Sequence, residues 1–148
     1  MDVESQIAEQ YVRRVHDFRK LTVWTRSRAL AVEIHGLCAT ETRPDRRLVT
    51  SQLKRAALSI SANIAEGCGK GSRAETVRYL EIACGSAAET EHHLIMASDL
   101  AILSPQRVDP LVARTGELRR MLRALIDRLP QQPPARSAIA MRDADEEV

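Results

Sequence analysis

Apolar residues recur along this chain at spacings of three and four, and no stretch alternates with the period of two that a strand requires. Across residues 17–39, Val23, Leu30 and Leu37 form one stripe, and Trp24, Ala31 and Cys38 form a second beside it. Two adjacent stripes predict a helix with a wide buried face. Residues 40–45 contain Pro44 and break the pattern, as an inter-helix loop does. A second helix is predicted over 45–66, where Val49, Leu53, Ala56, Ala57, Ile60 and Ile64 share one face. Gly67 follows at the place of a helix C-cap. Ser72-Arg73-Ala74-Glu75 matches a capping box and starts a third helix, expected to run to about Leu103. Leu80, Ala83, Ala87 and Leu94 make its first stripe; Val77, Cys84, Ala88, Ile95 and Ile102 make a second. Ser104-Pro105 opens the fourth helix, with Pro in the first turn. There Leu111, Thr115, Leu118, Leu122, Leu125 and Leu129 form a heptad-like seam, which Pro130 ends.

Long helices joined by short loops favour antiparallel neighbours. The predicted fold class is therefore all-α, an antiparallel up-down four-helix bundle over residues 17–129. Residues 1–16 read as an N-terminal extension, with Val3, Ile7, Tyr11 and Val15 four apart. Residues 130–148 are Pro- and Gln-rich and then acidic, and read as a disordered tail.

Composition agrees with this outline. A chain of 148 residues fits one domain with a real core. Tyr11, Phe18, Trp24 and Tyr79 are its four aromatics, so the core is built from Ala and Leu and suits close helix packing. The first residues carry no basic, apolar leader, and no apolar run reaches the roughly 20 residues that span a bilayer. The expectation is a cytoplasmic protein without a membrane partner. Cys38, Cys68 and Cys84 show no C-x-x-C spacing and read as reduced, structural thiols.

Candidate chemistry is sparse. Gly67-Cys68-Gly69-Lys70-Gly71-Ser72 suggests a phosphate loop, but Ile64 stands where the first Walker glycine belongs and a helix precedes in place of a strand. What survives is a helix N-terminus with Lys70 and Arg73 nearby, weighed against a plain C-cap and N-cap turn. Glu89, His92 and His93 could offer metal ligands from one helix, yet no second Glu-x-x-His completes a bundle site. Asn63, with Ser59 one turn earlier, reads as a satisfied polar group that fixes helix register. Glu66 pairs either with Arg55 or with a neighbouring chain. No nucleophile–base constellation is present, so the expectation is no enzyme, no metal and no cofactor.

Two patterns point outward. Ala83-Cys84-Gly85-Ser86-Ala87-Ala88 is an unbroken run of small residues, and helix 2 carries Ala56, Ala57, Ser59, Ser61, Ala62 and Ala65. Leu58, Ala62 and Ala65 form an apolar patch opposite the core face of helix 2. With Cys84, Gly85 and Ala88, they are the candidate oligomer interface. Overpacking at Gly85→Leu is expected to break assembly or folding. The second pattern is basic. Arg119, Arg120 and Arg123 lie roughly opposite the Leu seam, while Arg43, Arg46 and Arg47 cluster at the start of helix 2, with Lys54 and Arg55 a little later. With Lys70 and Arg73 they are candidate contacts to RNA or DNA phosphate. The net charge is only +2, however, and 19 of the 22 basic residues are Arg, which fits composition bias as well.

Several segments resemble a known family. They are Phe18-x-x-Leu21-x-x-Trp24, the stretch from Gln52 through Arg55-Ala56-Ala57, Ser59-Ile60 and Asn63-Ile64-Ala65-Glu66-Gly67, and Ala83-Cys84-Gly85-Ser86-x-x-Glu89. Together they resemble the bacterial four-helix-bundle family named for proteins encoded in 23S rRNA intervening sequences. The accessory protein of diversity-generating retroelements is similar to it. The resemblance implies a ring-shaped homopentamer, and for the retroelement relatives a nucleic-acid and reverse-transcriptase partner. Residues 1–16, the acidic tail and the low charge depart from those relatives.

Overall fold

The computed structural model describes residues 2–131; the greater part of the expected tail lies outside the described residues. Among those described, the chain is all helical, with five α-helices and no strand. α1 spans Val3–His16, α2 Thr22–Cys38, α3 Pro44–Cys68, α4 Arg73–Asp99 and α5 Pro105–Arg128. A single 3-10 turn, Phe18–Lys20, joins α1 to α2.

The extension is thus a helix of its own. Asp2 caps it by accepting from the Ser5 backbone N–H at 2.7 Å, which also holds its carboxyl below the usual range. The first bundle helix starts later than its periodicity suggested, because Leu21 adopts extended backbone and turns its side chain into the core.

α2 packs on α3 and α5, and α4 packs on α3 and α5. The core is aliphatic. Leu30 and Ile34 of α2, Leu53, Ile60 and Ile64 of α3, Leu80 and Leu94 of α4, and Leu111 and Leu122 of α5 are essentially sealed. Each such side chain contributes about 1.5–3 kcal/mol by leaving water. The predicted apolar face of α3 is the buried one, with only Val49 at its margin. Thr115, the polar member of the α5 seam, is sealed too and donates to the Leu111 carbonyl at 2.7 Å.

The most extensive contact joins α3 to α4. Ala56, Ala57, Ala83 and Ala87 are buried, so the small residues of both helices do let the backbones approach. Ser59 and Ser86 share a hydrogen bond across this contact at 2.8 Å. Asn63 donates to the Ser59 carbonyl at 2.8 Å and to its Oγ at 2.9 Å. Asn63 thus bonds within α3 to Ser59, which in turn meets Ser86 of α4.

Two helix ends differ from expectation. Gly67 is not the C-cap of α3; Gly69 is, and its φ of −83° is ordinary right-handed backbone. Gly67 is buried inside the helix. A Cβ there would lie 3.0 Å from the Tyr79 Cβ and 3.2 Å from the Thr76 carbonyl oxygen, so this glycine permits the close approach of α4. α4 ends at Asp99 rather than near Leu103. Ala101 takes φ 54°, and the Ile102 N–H reaches back to the Ala97 carbonyl at 2.8 Å, closing the helix with a left-handed turn.

Candidate assembly surface

The α4 N-terminus forms as its sequence requires. The Glu75 N–H donates to Ser72 Oγ at 3.2 Å, and that hydroxyl donates to Glu75 Oε2 at 3.0 Å. The nearby cations are otherwise engaged. Lys70 pairs with Glu66 at 3.0 Å and lies over the Tyr79 ring, and that hydrogen bond raises its pKa. Glu66 therefore partners Lys70, not Arg55. Arg73 donates to the Leu129 carbonyl at 3.3 Å. Neither cation is held toward the helix N-terminus as a phosphate cradle needs.

Several of the candidate phosphate contacts are ion-paired within the chain. Arg43 pairs with Asp45 at 3.3 Å and Arg46 with Glu41 at 3.5 Å. Arg119 pairs with Glu91 at 3.0 Å and Arg123 with Glu81 at 3.9 Å. Among the described residues Arg47, Arg55 and Arg120 remain exposed without a carboxylate partner. Lys54 is half-buried beside Cys38 and opposes the rise that burial gives its thiol.

The structure instead joins two sets that the sequence kept apart. Cys84, Gly85 and Ala88 of α4 and Gly116 of α5 form the floor of an open groove between these helices. Arg119, Arg120, Arg123, Glu81 and Glu91 stand around it. A Cβ built on Gly85 meets nothing within 4 Å, and one on Gly116 meets only the end of Arg120 at 3.8 Å. Gly85 therefore faces open space, and overpacking inside the chain is no longer expected of Gly85→Leu. The groove floor is thin because backbone itself lines it. Its rim carries three Arg against two Glu, a surplus of one positive charge that falls to Arg120.

On α3, Leu58 is 50% exposed, Ala62 is exposed and Ala65 half-buried. The patch expected opposite the core thus faces solvent. Arg47, Arg55 and a further exposed side chain, Leu48, accompany it.

Glu89 and His92 are exposed, and His93 touches His92 edge-on. Burial, then the neighbouring His92, pushes the His93 pKa down. No group of three or more His, Cys, Asp or Glu among these residues is placed to hold a metal. Burial raises all three thiols. Cys68 is carried from its ordinary 9.0 to about 11, and Cys84 rises despite Arg123 and Arg119 nearby. Unactivated thiols make poor nucleophiles. No described helix is long and apolar enough to cross a membrane.

No curated protein matches the chain in sequence. A crystal structure of a protein of unknown function, from the S23 ribosomal protein family of Bacteroides thetaiotaomicron, superimposes with a TM-score of 0.65. It is 26% identical, and the match covers 71% of this chain and 98% of that one. The model of the 23S rRNA-intervening sequence protein family matches residues 19–124, so α1 lies before the shared region. The chain belongs to the 23S rRNA-intervening sequence protein family.

Proposed function

We infer that this chain is a non-enzymatic, homo-oligomeric helical scaffold or adaptor of the cytoplasm. Its α2–α5 form an antiparallel up-down four-helix bundle, and copies close into a ring. A pentamer is the ring order that the family resemblance implies. Cross-helix pairs support the antiparallel arrangement. Arg26–Glu117 and Glu33–Arg114, like Glu81–Arg123 and Glu91–Arg119, climb one helix as they descend the other.

One observation carries the assembly reading: the chain leaves two different surfaces uncovered, the Leu58–Ala62–Ala65 face of α3 and the thin groove between α4 and α5. An exposed apolar face of this kind marks an interaction site. Each surface needs cover from some part of a neighbouring copy, and a heterologous contact of this kind that closes gives a ring. Light scattering on the wild type beside Leu58→Glu tests this. The wild type is expected to elute as a multiple of the chain mass and the variant to shift toward one chain. A wild type of single-chain mass contradicts the reading.

A second reading is a nucleic-acid-binding accessory protein that contacts phosphate. The unpaired Arg47, Arg55 and Arg120 favour it. Its test is fluorescence anisotropy with RNA and DNA across a salt series. A steep linear fall of log affinity with log salt supports it, and no binding at low salt contradicts it.

A further inference from the structure

α1 is held to the rest of the chain along its second half, where Tyr11 packs against the core. Val15 is buried, and His16 Nδ1 donates to the Cys68 carbonyl at 2.8 Å. Toward its start the helix stands over a cavity of about 500 Å³, lined by Ser5, Ala8 and Glu9 on its own side. Val3 is 70% exposed and Ile7 60% exposed, at the start of the same stripe whose Tyr11 and Val15 face the core. Val3 and Ile7 are four apart and form one helical ridge. Glu4 flanks the ridge and has no ion pair among the described residues. The helix precedes the region shared with the family, so shared fold packing does not account for this ridge.

We propose that α1 is an exchange arm, whose Val3–Ile7 ridge seats in the α4/α5 groove of a second copy of this chain. The proposal rests on the homo-oligomer reading and names the element that makes the contact. Shape and charge select the pairing. The groove floor of Cys84, Gly85, Ala88 and Gly116 has almost no side-chain height, so it admits a ridge of large residues. The groove rim has a surplus positive charge at Arg120, which suits the carboxylate of Glu4 beside the ridge. The exposed face of α3 is the competing occupant, and its flanking Arg47 and Arg55 carry the same sign as the rim. Each copy owns one arm and one groove, so in the ring proposed above the contact runs head to tail from copy to copy.

The test uses the thiol already in the groove. Ile7→Cys in the full chain, oxidised with diamide, should form an Ile7→Cys-to-Cys84 disulfide between copies. The product is a ladder of multiples of the chain mass on a non-reducing gel, and Cys84→Ser in the same background should abolish it. Cys38 and Cys68 are buried and do not compete. In parallel, Val3→Glu with Ile7→Glu changes only exposed positions. It should keep the helical circular dichroism while weakening association at least tenfold. Glu4→Arg and Arg120→Glu should each weaken association, and the pair together should restore it. A wild-type oligomer with no Cys84-dependent ladder, and with unchanged mass in the double-Glu variant, overturns the arm while leaving the assembly reading standing. A wild type of single-chain mass overturns both.

Discussion

Gly67→Ala should destabilise this protein, although replacing a helical glycine with alanine ordinarily does the reverse. In an open helix the change gains up to about 1 kcal/mol, because Ala loses less backbone freedom on folding. Gly67 is not open. The added Cβ would stand 3.0 Å from the Tyr79 Cβ and 3.2 Å from the Thr76 carbonyl oxygen. Carbon atoms pack at about 3.5–4.0 Å, so the overlap with Tyr79 is roughly 0.5–1 Å. The Thr76 carbonyl is backbone, and the Tyr79 Cβ is fixed to it. No side chain can swing clear, and α4 itself must shift away from α3. Overpacking of this kind costs about 1–3 kcal/mol. Set against a propensity gain of about 0.5–1 kcal/mol, the net loss is up to about 2.5 kcal/mol. A mid-range loss of about 1 kcal/mol lowers Tm by roughly 4 °C. Gly36→Ala is the matched control, since its Cβ meets nothing within 4 Å; it should be neutral or gain up to about 1 kcal/mol. Urea unfolding followed by circular dichroism, at equal chain concentrations, reads both. Refutation would be a Gly67→Ala protein as stable as the Gly36→Ala control.

Three other outcomes follow from the same geometry. Ser86→Ala removes the α4 partner of Ser59 and should cost about 0.5–1.5 kcal/mol in the same unfolding assay, with little effect if the cross-helix bond is unimportant. Ala101→Gly relieves a left-handed residue at the end of α4 and should stabilise by about 0.5–1 kcal/mol; a destabilised variant would contradict the turn. The buried Cys68 thiol is pushed up to about 11 from 9.0, so its contribution is fully present below pH 9 and is lost as pH rises toward 11. Over that window wild type should lose up to about 2–3 kcal/mol relative to Cys68→Ala, and parallel pH profiles for the two proteins would refute the shift.

Most of the fold was legible because its signals are local. The faces carrying Leu53, Ile60 and Ile64 in α3, and Leu111, Leu118 and Leu122 in α5, repeat at helical spacing and are buried as the repeat requires. The Ser72 cap and Pro105 start are short-range devices and mark real helix starts. Gly67 was misread because a C-cap glycine and a close-approach glycine look alike in sequence; only Tyr79 and Thr76, brought up from α4, distinguish them. Ala101 carries no signal, since alanine rarely adopts a left-handed turn. The groove was half visible. The run from Ala83 to Ala88 and the Arg triplet of α5 each stood out, but their meeting depends on how α4 and α5 face each other. Gly116 was overlooked, although a glycine inside the periodic α5 pattern was a usable sign of close approach. The pairing of Arg119 with Glu91 and of Arg123 with Glu81 is likewise tertiary, since each partner comes from another helix.

The most direct test of the central claim is the native mass of the wild-type protein across a dilution series. A closed oligomer that persists on dilution is expected, with five times the 16.5 kDa chain mass as its value. A single 16.5 kDa species at every concentration would contradict it.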